Sequence, residues 1–473
     1  MSDSARPHFQ LTFAVLAVAA ASYSLLQSLV APALPEIQHA LGTTSSAAAW
    51  ILTAYLLSAS ITTPILGRLG DVFGKERVLI WALAALAAGT VLCALATSIG
   101  PMLAGRALQG VGGALFPLAF GIIRDEFPAG RVAGGIALIS ALLGIGGGLG
   151  IVLAGPIVDA LSYHWLFWLP LAPILLSLVG AVLWVPESPV KTPSSINWTG
   201  ALLLSGWLVC GLLGITEGPA WGWDDPRVLG LLVGAVLLAW AWIVNERRAK
   251  SPLVDMRMMA LRGVWTVNLA AFLVGAGMYS SFVLIPSFVE TARSSGYGFG
   301  ASVTGAGLFM LPSTVAMLVA GPIGGRLSNR VGARALLVAG CAFLMVAFVG
   351  LAAAHEHPVE VYAATALMGF GIGLAFAALA NLIVEVVPPQ QTGVATGMNT
   401  VMRTVGGAVG TTIGGALLTA TVVGGSAPTE SGFTAAFTVS AGAGVLALVA
   451  ALIVPRPRRD GHAFAPSVAA ERA

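Results

Sequence analysis

The chain has 473 residues, of which 57% are hydrophobic and only 9% are charged, whereas about 25% of the residues in an ordinary soluble domain are charged. This composition, with a mean hydropathy of +0.90, excludes a soluble globular protein. A transmembrane β-barrel is excluded because its strands alternate apolar and polar residues, while residues 11–34 and 132–158 are apolar on every face. We therefore predict an α-helical membrane protein that crosses the bilayer many times.

Apolar segments long enough to cross about 30 Å of hydrocarbon follow one another along the chain. There are fourteen of them, and their first residues lie near Leu11, Trp50, Val78, Met102, Val132, Trp165, Trp198, Val228, Val264, Val303, Ala335, Val359, Val394 and Phe433. An even number of spans places both termini on the same side of the membrane.

The distribution of Lys and Arg predicts which side that is. With the N-terminus inside, 19 of the 23 basic residues fall in cytoplasmic loops or tails. The outer loops hold only Arg227 and Arg293, and Arg106 and Arg403 lie within predicted helices. Cytoplasmic loops of membrane proteins are rich in Lys and Arg, so we expect both termini in the cytoplasm. The net charge of +3 therefore reflects orientation in the membrane and gives no indication of nucleic-acid binding.

An internal repeat predicts the domain organisation. Residues 64–69 match residues 322–327 at five of six positions, and eight predicted helices separate the two copies. Two similarly oriented bundles that face each other are typical of transporters that work by alternating access. We predict an N-terminal six-helix bundle in residues 1–186, two inserted helices and a cytoplasmic loop in 187–262, a C-terminal six-helix bundle in 263–455 and a cytoplasmic tail in 456–473.

The loop after the second segment carries a family motif. Its residues 67–77, GRLGDVFGKER, resemble the signature of the major facilitator superfamily between helices 2 and 3. In that family the loop stabilises the outward-open state. The resemblance implies a conformational gate of Gly67, Asp71, Gly74, Arg77 and, at the end of helix 4, Asp125. The alternative is a solvated loop whose basic residues only set the topology.

The fourth segment resembles a second motif of the family in its residues RALQGVGG, with Arg106, Gln109 and Gly110 at the matching positions. In the resembling proteins this arginine takes part in proton coupling. An arginine that faces lipid is costly, so we expect Arg106 to face a cavity or another helix. The alternative is that its side chain reaches the cytoplasmic surface.

The fifth segment is rich in glycine and resembles the motif of the family's exporters. Residues 159–167 and 217–223 resemble stretches of the family's fourteen-helix drug:proton antiporter branch. Glycines four residues apart let helix backbones approach closely. Ile151 departs from the motif, which has proline there. The resemblance covers nearly the whole chain and implies an all-α major facilitator fold with fourteen transmembrane helices. The matching residues of this motif are Gly144, Gly148, Gly150, Gly155 and Pro156.

One position departs from many relatives in a way that affects coupling and substrate. Leu26 stands where they have an aspartate, and the predicted helices carry no carboxylate at mid-membrane depth. We therefore expect neutral, zwitterionic or weakly anionic amphiphiles as substrates. Proton coupling is expected to run through Asp159, His164 or Glu290, with Arg106 modulating it. The alternative is that Asp159 and His164 only cap helices.

Polar, aromatic and flexible side chains in helices that line the cavity of resembling transporters are candidates for substrate binding. Each has the alternative of being a packing residue. They are Tyr23, Gln27, Tyr55, Phe116, Asn268, Met278, Asn381, Asn399 and Arg403.

Together these features predict a proton-driven secondary exporter of amphipathic drugs or antibiotics, an antiporter in a bacterial inner membrane. The alternative is a facilitator or importer of a small metabolite without tight proton coupling. An enzyme is not favoured, because the sequence offers no catalytic cluster, no metal site and no phosphate-binding G-x-x-x-x-G-K-[ST] motif. We expect no cofactor, the proton gradient as the energy source, a monomer, and as partners a small substrate, protons and lipid, but no nucleic acid.

Overall fold

The computed structural model of the protein describes residues 9–188, 196–421 and 428–455. These residues form fourteen helices that are long and apolar enough to cross a membrane, which confirms the predicted number. The helices are α1 (Phe9–Leu29), α2 (Ser45–Phe73), α3 (Lys75–Ala94), α4 (Ile99–Glu126), α5 (Ala129–Ala160), α6 (Trp165–Trp184), α7 (Trp198–Trp221), α8 (Pro226–Arg248), α9 (Arg262–Glu290), α10 (Val303–Val331), α11 (Ala333–Ala353), α12 (Pro358–Val386), α13 (Thr392–Thr419) and α14 (Glu430–Ile453). A 3₁₀ turn over Val111–Ala114 interrupts α4.

The internal repeat appears in the structure as two tight helix junctions. Gly74 joins α2 to α3 with φ of +106°, and Gly332 joins α10 to α11 with φ of +87°. Glycine adopts such positive φ angles without the steric cost that a side chain would add. At both places the chain therefore reverses its direction with a single residue between two helices.

Two separate apolar cores hold the helices together. One contains buried residues from Val15 to Val185 and also Ala380 and Val384. The other contains buried residues from Ala201 to Val454, so the inserted helices α7 and α8 pack against the second core. The division into domains at the predicted boundaries stays a prediction, and its last part, 456–473, lies outside the described residues.

Because successive helices alternate in direction, α1 begins and α14 ends at the same membrane face, here called the terminal face. Arg227 and Arg293 lie at the other, here called the opposite face. Six of the basic residues assigned to the cytoplasm, Arg6, Lys191, Arg456, Arg458, Arg459 and Arg472, lie outside the described residues. The other thirteen lie at helix ends or loops of the terminal face: Arg68, Lys75, Arg77, Arg124, Arg131, Arg247, Arg248, Lys250, Arg257, Arg262, Arg326, Arg330 and Arg334.

The outside of the bundle is apolar. Leu202, Val236 and Trp240 expose 73%, 69% and 67% of their surfaces. Large exposed apolar surfaces of this kind are unfavourable in water but stable against lipid tails. The chain is therefore a multi-pass membrane protein.

Candidate functional site

A cavity of about 500 Å³ lies between α1–α6, here called the first half, and α9–α14, here called the second half. Helices α1, α2, α4 and α5 of the first half and α9, α10 and α13 of the second half contribute to its wall. Residues at the opposite-face ends of α1 and α9, among them Ala31, Pro32 and Glu290, form its upper part. The cavity therefore opens towards the opposite face.

Helix α9 gives the cavity most of its aromatic surface. Met278, Tyr279, Phe282, Pro286 and Glu290 all line the cavity. Phe282 follows the adjacent Met278 and Tyr279 by four and three residues, and the last two follow at intervals of four, which puts all five on one face of the helix. A mostly apolar cavity with a few polar groups is typical of sites that bind small organic molecules.

A hydrogen bond between the two halves closes the bottom of this cavity. Gln27 Nε2 in α1 donates to the hydroxyl oxygen of Tyr279 in α9 over 3.2 Å. Below it lie two smaller spaces of about 30 Å³ and 10 Å³, and Arg403 in α13 borders both of them. Its guanidinium lies 4.5 Å from the ring centre of Phe376. Of the predicted cavity residues, Tyr23 and Gln27 border the larger space, Asn399 borders the smaller one and Phe116 borders both.

Arg106 lies inside the protein and does not reach a membrane surface. It is 0% exposed, its Nε donates to the Ile51 carbonyl oxygen over 3.1 Å and its Nη1 donates to Gln109 Oε1 over 2.8 Å. Its guanidinium carbon also lies 4.2 Å from the ring centre of Tyr55. The alternative of a side chain that reaches the cytoplasmic surface is therefore wrong, because the Arg106 side chain is fully buried and bonded to α2.

The rest of the second motif holds three helices together. Gln109 Nε2 donates to Thr90 Oγ1 in α3 over 3.2 Å. A methyl group on Gly110 would lie 2.6 Å from the Tyr55 carbonyl oxygen in α2. Arg106 is thereby fixed in the wall of the cavity, which it lines beside Tyr55.

The glycines of α5 let this helix pack closely on two sides. A Cβ atom on Gly144 or Gly148 would collide with Met317 or Thr314 of α10 in the other half. The equivalent atom on Gly150 would collide with Ser28 of α1. Gly155 lies near Thr304, where a Cβ atom would be 3.0 Å from its hydroxyl oxygen, and Pro156 lies within the same helix. The motif therefore places α5 between the cavity helices of both halves.

The loop motif closes the terminal face. Asp71 is 1% exposed, and its carboxylate accepts hydrogen bonds of 3.3 Å each from the backbone N–H groups of Gly393 and Val394 at the start of α13. Gly67 makes this approach possible, because a methyl group there would lie 2.5 Å from the Gly393 carbonyl oxygen. The negative carboxylate at a helix N-terminus is also stabilised by the helix dipole.

A buried ion pair supports this contact. Lys75 Nζ lies 2.7 Å from Asp125 Oδ2 and 4.0 Å from Asp71 Oδ1. Arg124, which the sequence analysis did not single out, donates to Thr392 Oγ1 over 2.6 Å. Its second terminal nitrogen donates to the Val387 carbonyl oxygen over 3.0 Å. The two contacts of Arg124 cross from the first half to the second, while the Lys75 ion pair lies within the first half.

Two other predicted gate residues lie beside these contacts. Gly74 forms the α2–α3 junction, and Arg77 pairs with Glu187 at 3.0 Å. The Arg77 side chain is 57% exposed, and exposed ion pairs contribute little to stability. Arg77 therefore takes no part in the buried contact between the halves.

The three residues predicted to carry the coupled proton lie in different places. Glu290 lines the mouth of the cavity. Asp159 is an exposed residue in the last turn of α5, and neither it nor His164 is among the cavity-lining residues. His164 precedes α6 without a side-chain capping hydrogen bond, and its ring stacks on Tyr163 at 3.9 Å.

Seven of the nine predicted cavity residues border the cavity or the spaces below it. The two exceptions bind other helices. Asn268 Oδ1 accepts a hydrogen bond of 2.9 Å from Asn399, and Asn381 Nδ2 donates to the Ala133 carbonyl oxygen over 3.3 Å. These two side chains are buried because they join helices.

The prediction missed Tyr279 and Phe282, which contribute much of the aromatic lining. Their spacing relative to Met278, Pro286 and Glu290 was visible in the sequence as one helical face. Leu143, Gly147 and Thr411 also line the cavity. Such side chains cannot be told from ordinary packing residues without the tertiary structure.

In the described part of the chain, fourteen membrane helices, seven of which line a cavity that is closed at one face and open at the other, are the arrangement of a membrane transporter. The model of the Major Facilitator Superfamily matches residues 16–411 and again 267–472. The chain belongs to this superfamily of transporters, and it is not an enzyme.

Several known proteins are similar to the chain. Multidrug resistance protein 3 of Bacillus subtilis (strain 168) is 28% identical over 372 residues, which cover 78% of this chain and 71% of that protein. The tetracenomycin C resistance and export protein of Streptomyces glaucescens is 28% identical over 391 residues, covering 82% and 72%. Among solved structures, the human organic anion transporter MFSD10 (TETRAN) has a TM-score of 0.66 at 16% identity, covering 94% and 100%. The last similarity supports the fold alone.

Proposed function

We propose that this transporter is a proton-driven exporter of amphipathic compounds. The observation that supports the proposal is the asymmetry of the central cavity: it is open at the opposite face, while Asp71 and Arg124 connect the two halves at the terminal face. Movement of the two halves about the cavity would exchange the open and the closed face.

Export is favoured over import by two further features. The glycine motif of α5 resembles that of exporters, and the names of both relatives described above include resistance. If the basic residues of the terminal face mark the cytoplasm, the cavity faces the outside of a bacterial inner membrane in this state.

Glu290 is the most suitable group for exchanging the coupled proton. Of the three predicted carriers only Glu290 lines the cavity; Arg106, which was predicted to modulate coupling, also lines it, but an arginine keeps its charge in proteins. A carboxyl group at the mouth is in reach of external protons. Asp159 and His164 lie away from the cavity, so we assign them no part in coupling.

The test is proton movement in everted membrane vesicles that contain the protein. The lumen is acidified by respiration, and a pH-sensitive dye records the lumen pH while cationic, neutral and anionic amphiphiles are added in turn. We expect proton release on addition of a substrate. We expect Glu290→Gln to abolish this release. The control is Asp159→Asn, which removes a carboxylate of the same face outside the cavity and should keep the release. Equal proton release by both variants would remove Glu290 from the mechanism.

One observation favours a second function, a facilitator or importer of a small metabolite without tight proton coupling. Within the described residues, Glu290 is the single carboxylate that borders the cavity or the two spaces below it. A facilitator needs no group that changes its charge. Transport of a labelled solute without proton release in the same vesicles would support this function.

A further inference from the structure

The bottom of the cavity contains a positive charge that the proposed function does not use. Arg403 is half-buried and forms no hydrogen bond or ion pair with any residue in 9–188, 196–421 or 428–455. Its guanidinium makes a cation–π contact with the ring of Phe376. An ionised group in a membrane protein is costly unless it finds a partner. Arg403 therefore has unused capacity to bind a negative charge.

Within the described residues, no carboxylate borders the two spaces next to Arg403 and none forms an ion pair with it. Glu290 lies eleven residues beyond Tyr279 in the same helix, which corresponds to roughly 16 Å along the helix axis. Arg106, the other arginine of the cavity wall, adds a second positive charge, and its Nη2 has no hydrogen-bond partner in the described part of the chain. The electrostatic potential at the bottom of the cavity is therefore positive.

The groups around Arg403 fit a small acidic group. Besides the guanidinium, the space of about 30 Å³ is bordered by Ser60, whose buried hydroxyl has no hydrogen-bond partner among the described residues, and by the Gln27–Tyr279 pair. Hydroxyls, an amide and a guanidinium all donate hydrogen bonds to a carboxylate. The larger cavity above, with Phe282 and Leu56 in its wall, offers room for an apolar body.

We infer that the transporter binds amphiphiles that carry an acidic group, with that group on Arg403 and the apolar body in the cavity above the Gln27–Tyr279 pair. The inference rests on the proposed function, in that it assigns the substrate class of the same cavity. In the bound state the acidic group separates Gln27 from Tyr279 and accepts hydrogen bonds from Arg403. Arg106 contributes through its charge, because its guanidinium is already held by Ile51 and Gln109.

The test uses three fluorescent probes with the same ring system and different charges. Dansylglycine is an anion, dansylglycinamide is neutral, and dansyl ethylenediamine is a cation. Binding to the purified protein in nanodiscs is measured by dansyl fluorescence, with empty nanodiscs as the background. We expect the wild-type protein to bind dansylglycine about 10- to 100-fold more tightly than dansylglycinamide, the range for a hydrogen bond to a charged group. The cation should bind most weakly.

Variants of Arg403 separate charge from structure. Arg403→Gln should lose the preference for the anion and keep the affinity for dansylglycinamide, while Arg403→Lys should keep part of the preference. Arg227→Gln, which changes an exposed arginine outside the cavity, is the matched control and should bind as the wild type does. The inference would be overturned if Arg403→Gln kept the preference for the anion. It would also be overturned if Arg106→Gln were the one variant that lost this preference.

Two other outcomes also decide the question. If Arg403→Gln binds no probe while Arg403→Lys binds all three without preference, Arg403 has a structural role and the inference is wrong. If the wild-type protein binds dansylglycinamide as well as dansylglycine, the substrate class is wrong but the proposed function stands. Binding of none of the probes would argue against both, because an amphiphile exporter should accept at least one of them.

Discussion

The contact between Asp71 and α13 should control which face of the transporter is open. The variant Asp71→Asn has nearly the same shape as the wild-type side chain but carries no charge. Asn has a single oxygen acceptor, so one of the two N–H groups, of Gly393 or of Val394, loses its partner. The other hydrogen bond changes from charge-assisted to neutral.

The size of the effect can be worked out from the geometry. Hydrogen bonds to charged groups contribute about 1.5–3 kcal/mol each, and those of Asp71 are long at 3.3 Å, which places them near the lower end. Replacing the two charge-assisted hydrogen bonds by one neutral hydrogen bond, and removing the interaction with the helix dipole, should cost about 3 kcal/mol. This loss shifts the equilibrium about 100-fold towards the state with an open terminal face. The Lys75–Asp125 pair remains in the variant and limits the damage to the fold.

The assay measures the distance between spin labels across the terminal face. Labels replace Arg131 at the start of α5 and Arg330 at the end of α10, which are both exposed and belong to different halves. The native cysteines are replaced by serine, and pulsed electron spin resonance is recorded in nanodiscs. We expect Asp71→Asn to increase the population at long distances, whereas Asp159→Asn leaves the distribution unchanged. An unchanged distribution in Asp71→Asn would show that its hydrogen bonds do not hold this face closed.

Three further predictions concern packing and the buried polar groups. Gly148→Ala should destabilise the protein by about 1–3 kcal/mol because its Cβ collides with Thr314, whereas Gly147→Ala, with nothing within 4 Å, should leave the unfolding temperature measured by tryptophan fluorescence unchanged. Equal unfolding temperatures would show that α10 moves aside easily. Arg106→Lys keeps the charge but cannot form the two guanidinium hydrogen bonds, so proton release in vesicles should fall at least about tenfold; wild-type release would show that charge alone suffices. Glu246→Ala should cost about 1–3 kcal/mol, since its carboxylate accepts a 3.3 Å hydrogen bond from a backbone N–H in the loop after α8, and an unchanged midpoint of thermal unfolding would contradict this.

The gate residues show which part of a contact a sequence motif predicts and which part it does not. The sequence placed Asp71 and Asp125 in one motif-bearing region, but the partners of Asp71 are 322 and 323 residues away along the chain. Backbone N–H groups carry no sequence signal. For the same reason Arg124 remained unnoticed, because its partners are a threonine hydroxyl and a carbonyl oxygen.

The amino-acid sequence by itself determined the number of spans, the repeat and the side on which the basic residues gather. These properties depend on the local apolar length, on glycine at tight junctions and on charge between helices. Only the tertiary structure decided which side chains line the cavity and which join helices. Asn268 and Arg403 both looked like polar residues of cavity helices, yet Asn268 is satisfied by Asn399 while Arg403 is left without a polar partner among the described residues. That difference depends on the rotation and crossing of neighbouring helices, which is set by packing between distant segments.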